Sequence, residues 1–231
     1  MPHDPSIVFG KNVVLGEHVV IEPGVLVGDN AVIGNYVVIK KGTVLGNDVM
    51  IGDLVVLGKE PASSKKMARK PQKTLPPLHV KDNVKIGCNT VIYCGVVLDN
   101  DVLVGDLASI REEVYVGQSS IIGRNVIVEP NTTIGSRVTI QTGSYITADM
   151  VIEDEVFIGP CCSSSNDKYM GMGNFKHQGP IVKRGAKIGN NATLLPAITI
   201  GEKSIVGAGT VVTRDVPAGK TIVGNPGRLL P

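Results

Sequence analysis

Between Val104 and Gly159 an aliphatic residue returns at every sixth position: Val104, Ile110, Val116, Ile122, Val128, Ile134, Ile140, Ile146, Ile152 and Ile158. Two residues before most of them stands a small or β-branched side chain, as at Val102, Ala108, Val114, Ser120, Val126, Thr132, Val138 and Ser144. A period of six fits neither the alternation of a free strand nor the 3.6-residue turn of a helix. It is the hexapeptide pattern of a parallel β-helix. The aliphatic points into a prism-shaped core, the small residue fills the corner beside it, and the other four positions face water or form the turn. Three hexads close one coil of 18 residues, so residue n should lie about 4.8 Å, one strand spacing, below residue n+18.

The same spacing runs through an earlier block, from Phe9 through Leu15, Ile21, Val27, Ile33, Ile39, Leu45 and Ile51 to Leu57. It resumes at Val80, Ile86, Ile92 and Leu98, and ends in a block of Val182, Ile188, Leu194, Ile200, Val206 and Val212. Because each coil buries its apolar edge only against its neighbours, the pattern predicts one all-β domain over residues 1–231. Two long external loops interrupt it, at residues 59–79 and 160–180, and residues 213–231 cap the open end. The first loop breaks the hexad phase, with 23 residues from Leu57 to Val80, and the second keeps it, with 24 from Ile158 to Val182. Long structureless loops in a compact domain usually serve function.

Composition narrows the classes. A net charge of +2 gives no reason to expect nucleic acid as a partner, and no apolar run approaches the length of a membrane span. Residues 1–9 lack a basic stretch followed by an apolar one, so no signal peptide is read there. Cys88, Cys94, Cys161 and Cys162 show no C-x-x-C spacing. They are expected to be outward or loop thiols, and free thiols suit the cytoplasm.

Charge is concentrated in particular places. The first loop carries Lys59, Lys65, Lys66, Arg69, Lys70 and Lys73 against one acid, Glu60, and reads as a basic arm for a phosphorylated ligand. In the last block, Gly207-Ala208-Gly209 leaves one outer turn almost bare, with Lys183, Arg184, Lys220 and Arg228 among the basic residues expected around it. On the 18-residue ruler Asp106 stacks between Cys88 and Arg124, and the column continues to Thr142 and Pro160, where the second loop is expected to leave. Glu112 and Glu113 take the next corner, with Asn131 one coil above Glu113. Two loops and three carboxylates thus converge on one region of an otherwise plain prism.

The segments GDLASIRE (105–112), SNDKYMG (165–171), FKHQGPIVKRGAKIG (175–189) and VGAGTVVTRDVP with GNPGR (206–228) resemble those of hexapeptide-repeat acyltransferases. Within them the resemblance is to the branch that N-acylates amino sugars carried on a nucleotide, such as dTDP-4-amino-4,6-dideoxyhexoses. It covers most of the chain beyond Leu75. It implies a left-handed helix, a homotrimer with active sites between subunits, and coenzyme A as acyl donor. The bare turn and its basic surroundings, Gly207, Ala208, Lys183, Arg184, Lys220 and Arg228, are expected to hold that cofactor. It also implies Asp106 as the base and Glu113 as its helper. Glu112, Asn131, Lys65, Lys66, Arg69 and His177 are expected on the sugar nucleotide, and His177, carried by the second loop, is the rival base. A carboxylate suits that work, since it binds an ammonium and accepts its proton as nitrogen attacks the thioester. The chain departs from family members that set a histidine base on a coil, because His3 and His18 lie near the start and His79 and His177 in or beside loops. Another acyl-CoA transferase, acting on an amino acid, an antibiotic or a hydroxyl group, is the alternative. A carbonic anhydrase-like metal site needs three histidines on neighbouring turns, which the spacing does not supply, so no metal is expected.

Overall fold

A computed structural model describes residues 4–67, 69–172 and 176–231, so His3 lies outside the described residues. Among these there is no α-helix. Most strands are two residues long and stack into three sheets of 10, 12 and 10 strands. The first face begins at Val8–Phe9, the second at Val14–Leu15 and the third at Val20–Ile21. The chain visits the faces in turn and returns one coil higher, as a left-handed parallel β-helix. Registers such as Leu103↔Ile121 and Val104↔Ile122 give the 18-residue step directly.

The hexad logic accounts for burial. The ten aliphatics from Val104 to Ile158 are at most 2% exposed, and the small residues two before them, such as Ala108, Ser120 and Ser144, are buried beside them. In the first coil Phe9, Leu15 and Ile21 are only partly buried, because among the described residues no coil lies below them. At the other end Thr221–Val223 pairs with the second face and Arg228–Leu229 folds back antiparallel on it, closing that edge.

Corners are made by residues in the left-handed backbone region, among them Leu107, Glu113, Asn131 and Asp149 with φ near 60°. Non-glycine residues seldom hold this conformation unless their surroundings impose it. Here many corner N–H groups reach a carbonyl one coil down, as Leu107 does to Cys88 at 2.9 Å and Asp149 to Pro130 at 3.1 Å.

The first loop joins Val56–Lys59 on the third face to His79–Val80 on the first. Val80 pairs with Leu45, 35 residues back rather than 18, so 17 residues loop out. The second loop differs from expectation. Ser163–Ser164 is a strand on the third face, so the turn at Pro160 is an ordinary corner and the chain leaves only after Ser164. Ile152 pairs with Val182, 30 residues on rather than 18, so 12 residues loop out. Ser164 takes the inward position that an aliphatic fills elsewhere, and its hydroxyl accepts the Thr147 N–H at 2.9 Å and donates to the Tyr145 carbonyl at 3.0 Å. The small position before it is Cys162, which is buried and donates its S–H to the Gly189 carbonyl at 3.0 Å. Cys162 is therefore a core residue rather than a loop thiol, and Cys94 is buried too. The hydrophobic pattern hid this coil because its two inward side chains are a serine and a cysteine.

Candidate active site

Both loops leave the corner between the third and first faces, one from below and one from above. Between them that corner presents a column at the 18-residue step: Glu113, Asn131 and Asp149. They meet over a cleft of about 290 Å³ lined by Arg69, Gln72, Glu113, Asn131, Asn166 and His177 among others.

The first loop is fastened across this column. Gln72 Nε2 donates to Glu113 Oε1 at 2.6 Å, and Arg69 Nη1 reaches Asp149 Oδ1 at 2.7 Å. With its amide oriented by these neighbours, Asn131 donates to Glu113 Oε2 at 2.9 Å and accepts from Arg69 at 2.7 Å. The Asp149 bond holds the Arg69 guanidinium above its ordinary pKa. Among the described residues Glu113 thus receives two neutral amide donors and no direct cation.

Glu112, one residue away, has a different role. It is 3% exposed and takes a two-pronged bond from Arg111, at 2.9 and 3.0 Å. The Arg111 guanidinium also lies 4.9 Å from the Tyr93 ring centre and 3.7 Å from Glu129. Paired in this way, Glu112 fixes Arg111 as the wall of the cleft, Glu129 faces the same guanidinium, and Glu113 is the lining carboxylate that Arg111 does not bond.

From above, the second loop brings down His177, whose Nε2 lies 3.7 Å from Asp167 Oδ2. Backbone N–H groups of Tyr169 and Gly171 bond the Asp167 carboxylate and hold it below the usual aspartate range. The sequence points to His177, as a ligand for the sugar nucleotide or as the rival base, but does not single out Asp167, Asp149 or Gln72. The 18-residue step from Asn131 points to Asp149, whereas nothing local marks Gln72.

Asp106 stands at another corner, between the second and third faces, away from both loops. Its Oδ1 accepts the Cys88 N–H at 2.9 Å and its Oδ2 lies 3.8 Å from Arg124 Nε, with half the side chain in solvent. The first bond recurs through the solenoid, from Lys11 N–H to Asp29, Glu17 to Asn35, Asn47 to Asp82 and Ser136 to Asp154. In each case an Asp or Asn two places after an inward aliphatic caps the coil below. The expected meeting of Asp106 with the second loop does not occur, because the loop leaves one corner later.

The cofactor candidates separate in the same way. Gly207-Ala208-Gly209 shares the Asp106 corner, five steps or about 24 Å above it. The turn is open, since a Cβ on Gly209 would meet nothing within 4 Å. Lys220 and Arg228 are exposed near that end. Lys183 and Arg184 lie between the first and second faces and are tied to Glu153 at 2.7 Å and Glu155 at 2.9 Å. Lys65 and Lys66 are exposed at the turn of the first loop.

A family profile described as bacterial transferase hexapeptide (six repeats) matches residues 6–41, 24–59, 113–148 and 179–214, together more than half of the chain. A stretch of 49 residues, 21% of this chain, is 51% identical to 26% of a dTDP-3-amino-3,6-dideoxy-alpha-D-galactopyranose 3-N-acetyltransferase of Aneurinibacillus thermoaerophilus. Another of 83 residues, 32% of this chain, is 41% identical to 38% of the serine acetyltransferase of Bacillus subtilis. These matches span well under half of either relative. Among solved structures, an Arabidopsis UDP-N-acetylglucosamine acyltransferase superposes with a TM-score of 0.63 at 17% identity, over 98% of this chain and 70% of that one. That likeness is one of fold.

Proposed function

The chain belongs to the bacterial transferase hexapeptide family, and from that premise we propose that it moves an acyl group, acetyl in the simplest case, from acyl-CoA to the amine of a nucleotide-linked deoxyamino sugar. The observation that carries the reading is Glu113. It is a cleft carboxylate whose bonds from side chains of the described residues come from the amides of Gln72 and Asn131, so among these no direct bond offsets its charge and it suits an ammonium. Lys70, which lines the cleft, and the exposed Lys65 and Lys66 of the same loop suit a diphosphate. The identity to a sugar-nucleotide N-acetyltransferase supports the same substrate class.

In this reading Glu113 binds and orients the ammonium, and His177 takes the proton as nitrogen attacks the thioester. Asp167 beside Nε2 favours the tautomer with its proton there, which leaves Nδ1 as the acceptor. Acyl-CoA supplies the activated acyl group, and the bare turn at Gly207–Gly209, with Lys220 and Arg228 near it, fits its pantetheine arm and phosphates. The exposed Val14, Val32, Met50 and Leu103 of the second face suit assembly as a homotrimer in the cytoplasm.

Asp106 is the competing base, favoured by its place on the same corner column as the Gly207–Gly209 turn. A competing substrate is an amino acid or hydroxyl compound, favoured by the longer match to a serine acetyltransferase. One screen separates the substrate classes: acetyl-CoA with dTDP- and UDP-linked 3-amino and 4-amino sugars, L-serine and hydroxyl sugars, read by thermal stabilisation and by release of the CoA thiol. A ligand at 100 times its Kd adds about 2.7 kcal/mol. Turnover on L-serine alone overturns the sugar reading.

A further inference from the structure

Gln72 occupies the place on Glu113 that an ammonium would take. This observation extends the reading of Glu113 just given and rests on it. The Gln72 side chain is exposed and belongs to a loop, whereas Asn131, the other donor to Glu113, sits on a coil and is held from its far side by Arg69. An arriving ammonium makes a charged bond to the carboxylate, stronger than the neutral amide bond already there. The donor it displaces is Gln72, because Asn131 cannot leave its coil. Arg69 still fastens the loop to Asp149, so the loop is released at one end only. Asp149 Oδ2 beneath that fastening is buried without a partner among the described residues, which marks the docked loop as less than fully satisfied.

We infer that Gln72 is a displaceable latch that discharges the product. The reaction joins nitrogen to the acyl carbon and breaks the carbon–sulfur bond. Of the two protons that the ammonium loses, one ends on the CoA sulfur and the other passes through the base to water. The product amide is neutral and offers Glu113 a donor no stronger than the amide of Gln72. The side chain that substrate charge had displaced therefore returns once the charge is gone.

The test uses two substitutions with opposite expected signs on the full-length protein. Gln72→Ala removes the competitor, so KM for the amino-sugar nucleotide that turns over in the screen falls about fivefold, and product inhibition tightens. Gln72→Lys places a tethered ammonium on Glu113, and that KM rises by at least the same factor. KM for acetyl-CoA stays constant in both. Without any ligand, hydrogen exchange over residues 60–78 quickens in Gln72→Ala and slows in Gln72→Lys. A mere packing contact would weaken the substrate in both variants, and that result, or no change in either, overturns the latch. Glu113→Gln keeps the two readings apart. If it is disabled while the Gln72 variants fail to split, only the latch falls, and if it turns over normally the ammonium site falls with it.

Discussion

Asp106 Oδ1 accepts the backbone N–H of Cys88, 18 residues earlier, at 2.9 Å. Asparagine keeps that acceptor and removes the charge, so Asp106→Asn should fold as the wild type does and keep kcat within about threefold, whereas His177→Asn should lose at least ~10²-fold, the lower end for a general base. Steady-state kinetics on both variants decides the matter. A disabled Asp106→Asn beside an active His177→Asn returns the proton to the aspartate.

Glu113→Gln replaces a carboxylate by an isosteric amide. Charged hydrogen bonds contribute roughly 1.5–3 kcal/mol, so kcat/KM for an amine acceptor should fall by about 10- to 100-fold. KM for acyl-CoA should hold, because the bare turn lies on another corner. An equal loss for both substrates would point to unfolding of the cleft instead, which circular dichroism would reveal.

Lys65, Lys66 and Lys70 can be changed to Ser without touching a fastening. Their contribution is Coulombic and screened over about 8 Å at physiological salt, so KM for a sugar diphosphate should rise and the rise should shrink as salt is added. Arg69→Ser is a different experiment, since it also breaks the Asp149 bond. It should make the 60–78 segment sensitive to trypsin.

Restoring the aliphatic at Ser164 should not stabilise the fold. Ser164→Val leaves the Thr147 N–H without its acceptor inside the prism, at a cost of about 1–3 kcal/mol that offsets the apolar gain. Urea unfolding should therefore show Ser164→Val no more stable than wild type, and a clear rise in midpoint would refute the account of that coil.

Acid should weaken the first-to-second corner in a defined window. Bonds from Arg184 and then Arg137 hold Glu155 down from 4.5 to about 2, and Lys183 lowers Glu153 in the same direction. A depressed folded pKa means the unfolded chain binds protons first. The stabilisation is therefore complete above about 4.5 and is lost as pH falls towards 2. A melting-temperature profile should slope across that range, and Glu155→Gln should flatten it. The effect is modest because all three pairs are solvent-exposed.

Period six in the aliphatics determined the solenoid, its 18-residue step, and the stacking of Glu113 under Asn131, because core filling in a β-helix is local and repeats with the chain. The same periodicity puts the first loop on the Glu113 corner on one condition, that Leu57 lies on the face before that of Val80, which the strands at Val56–Lys59 and His79–Val80 meet. It could not place the second loop, where Ser164 and Cys162 satisfy the interior by hydrogen bonds rather than by apolar volume, and it could not see that Asp106 repeats the capping role of Asp29, Asp82 and Asp154. Which loop residues meet the column was decided only in three dimensions. Gln72 and Glu113 are 41 residues apart and Arg69 and Asp149 are 80 apart, and no hexad constrains an inserted loop. The pairing of His177 with Asp167, and the locking of Arg111 by Glu112, likewise follow from where the loops fold and which charges they find there.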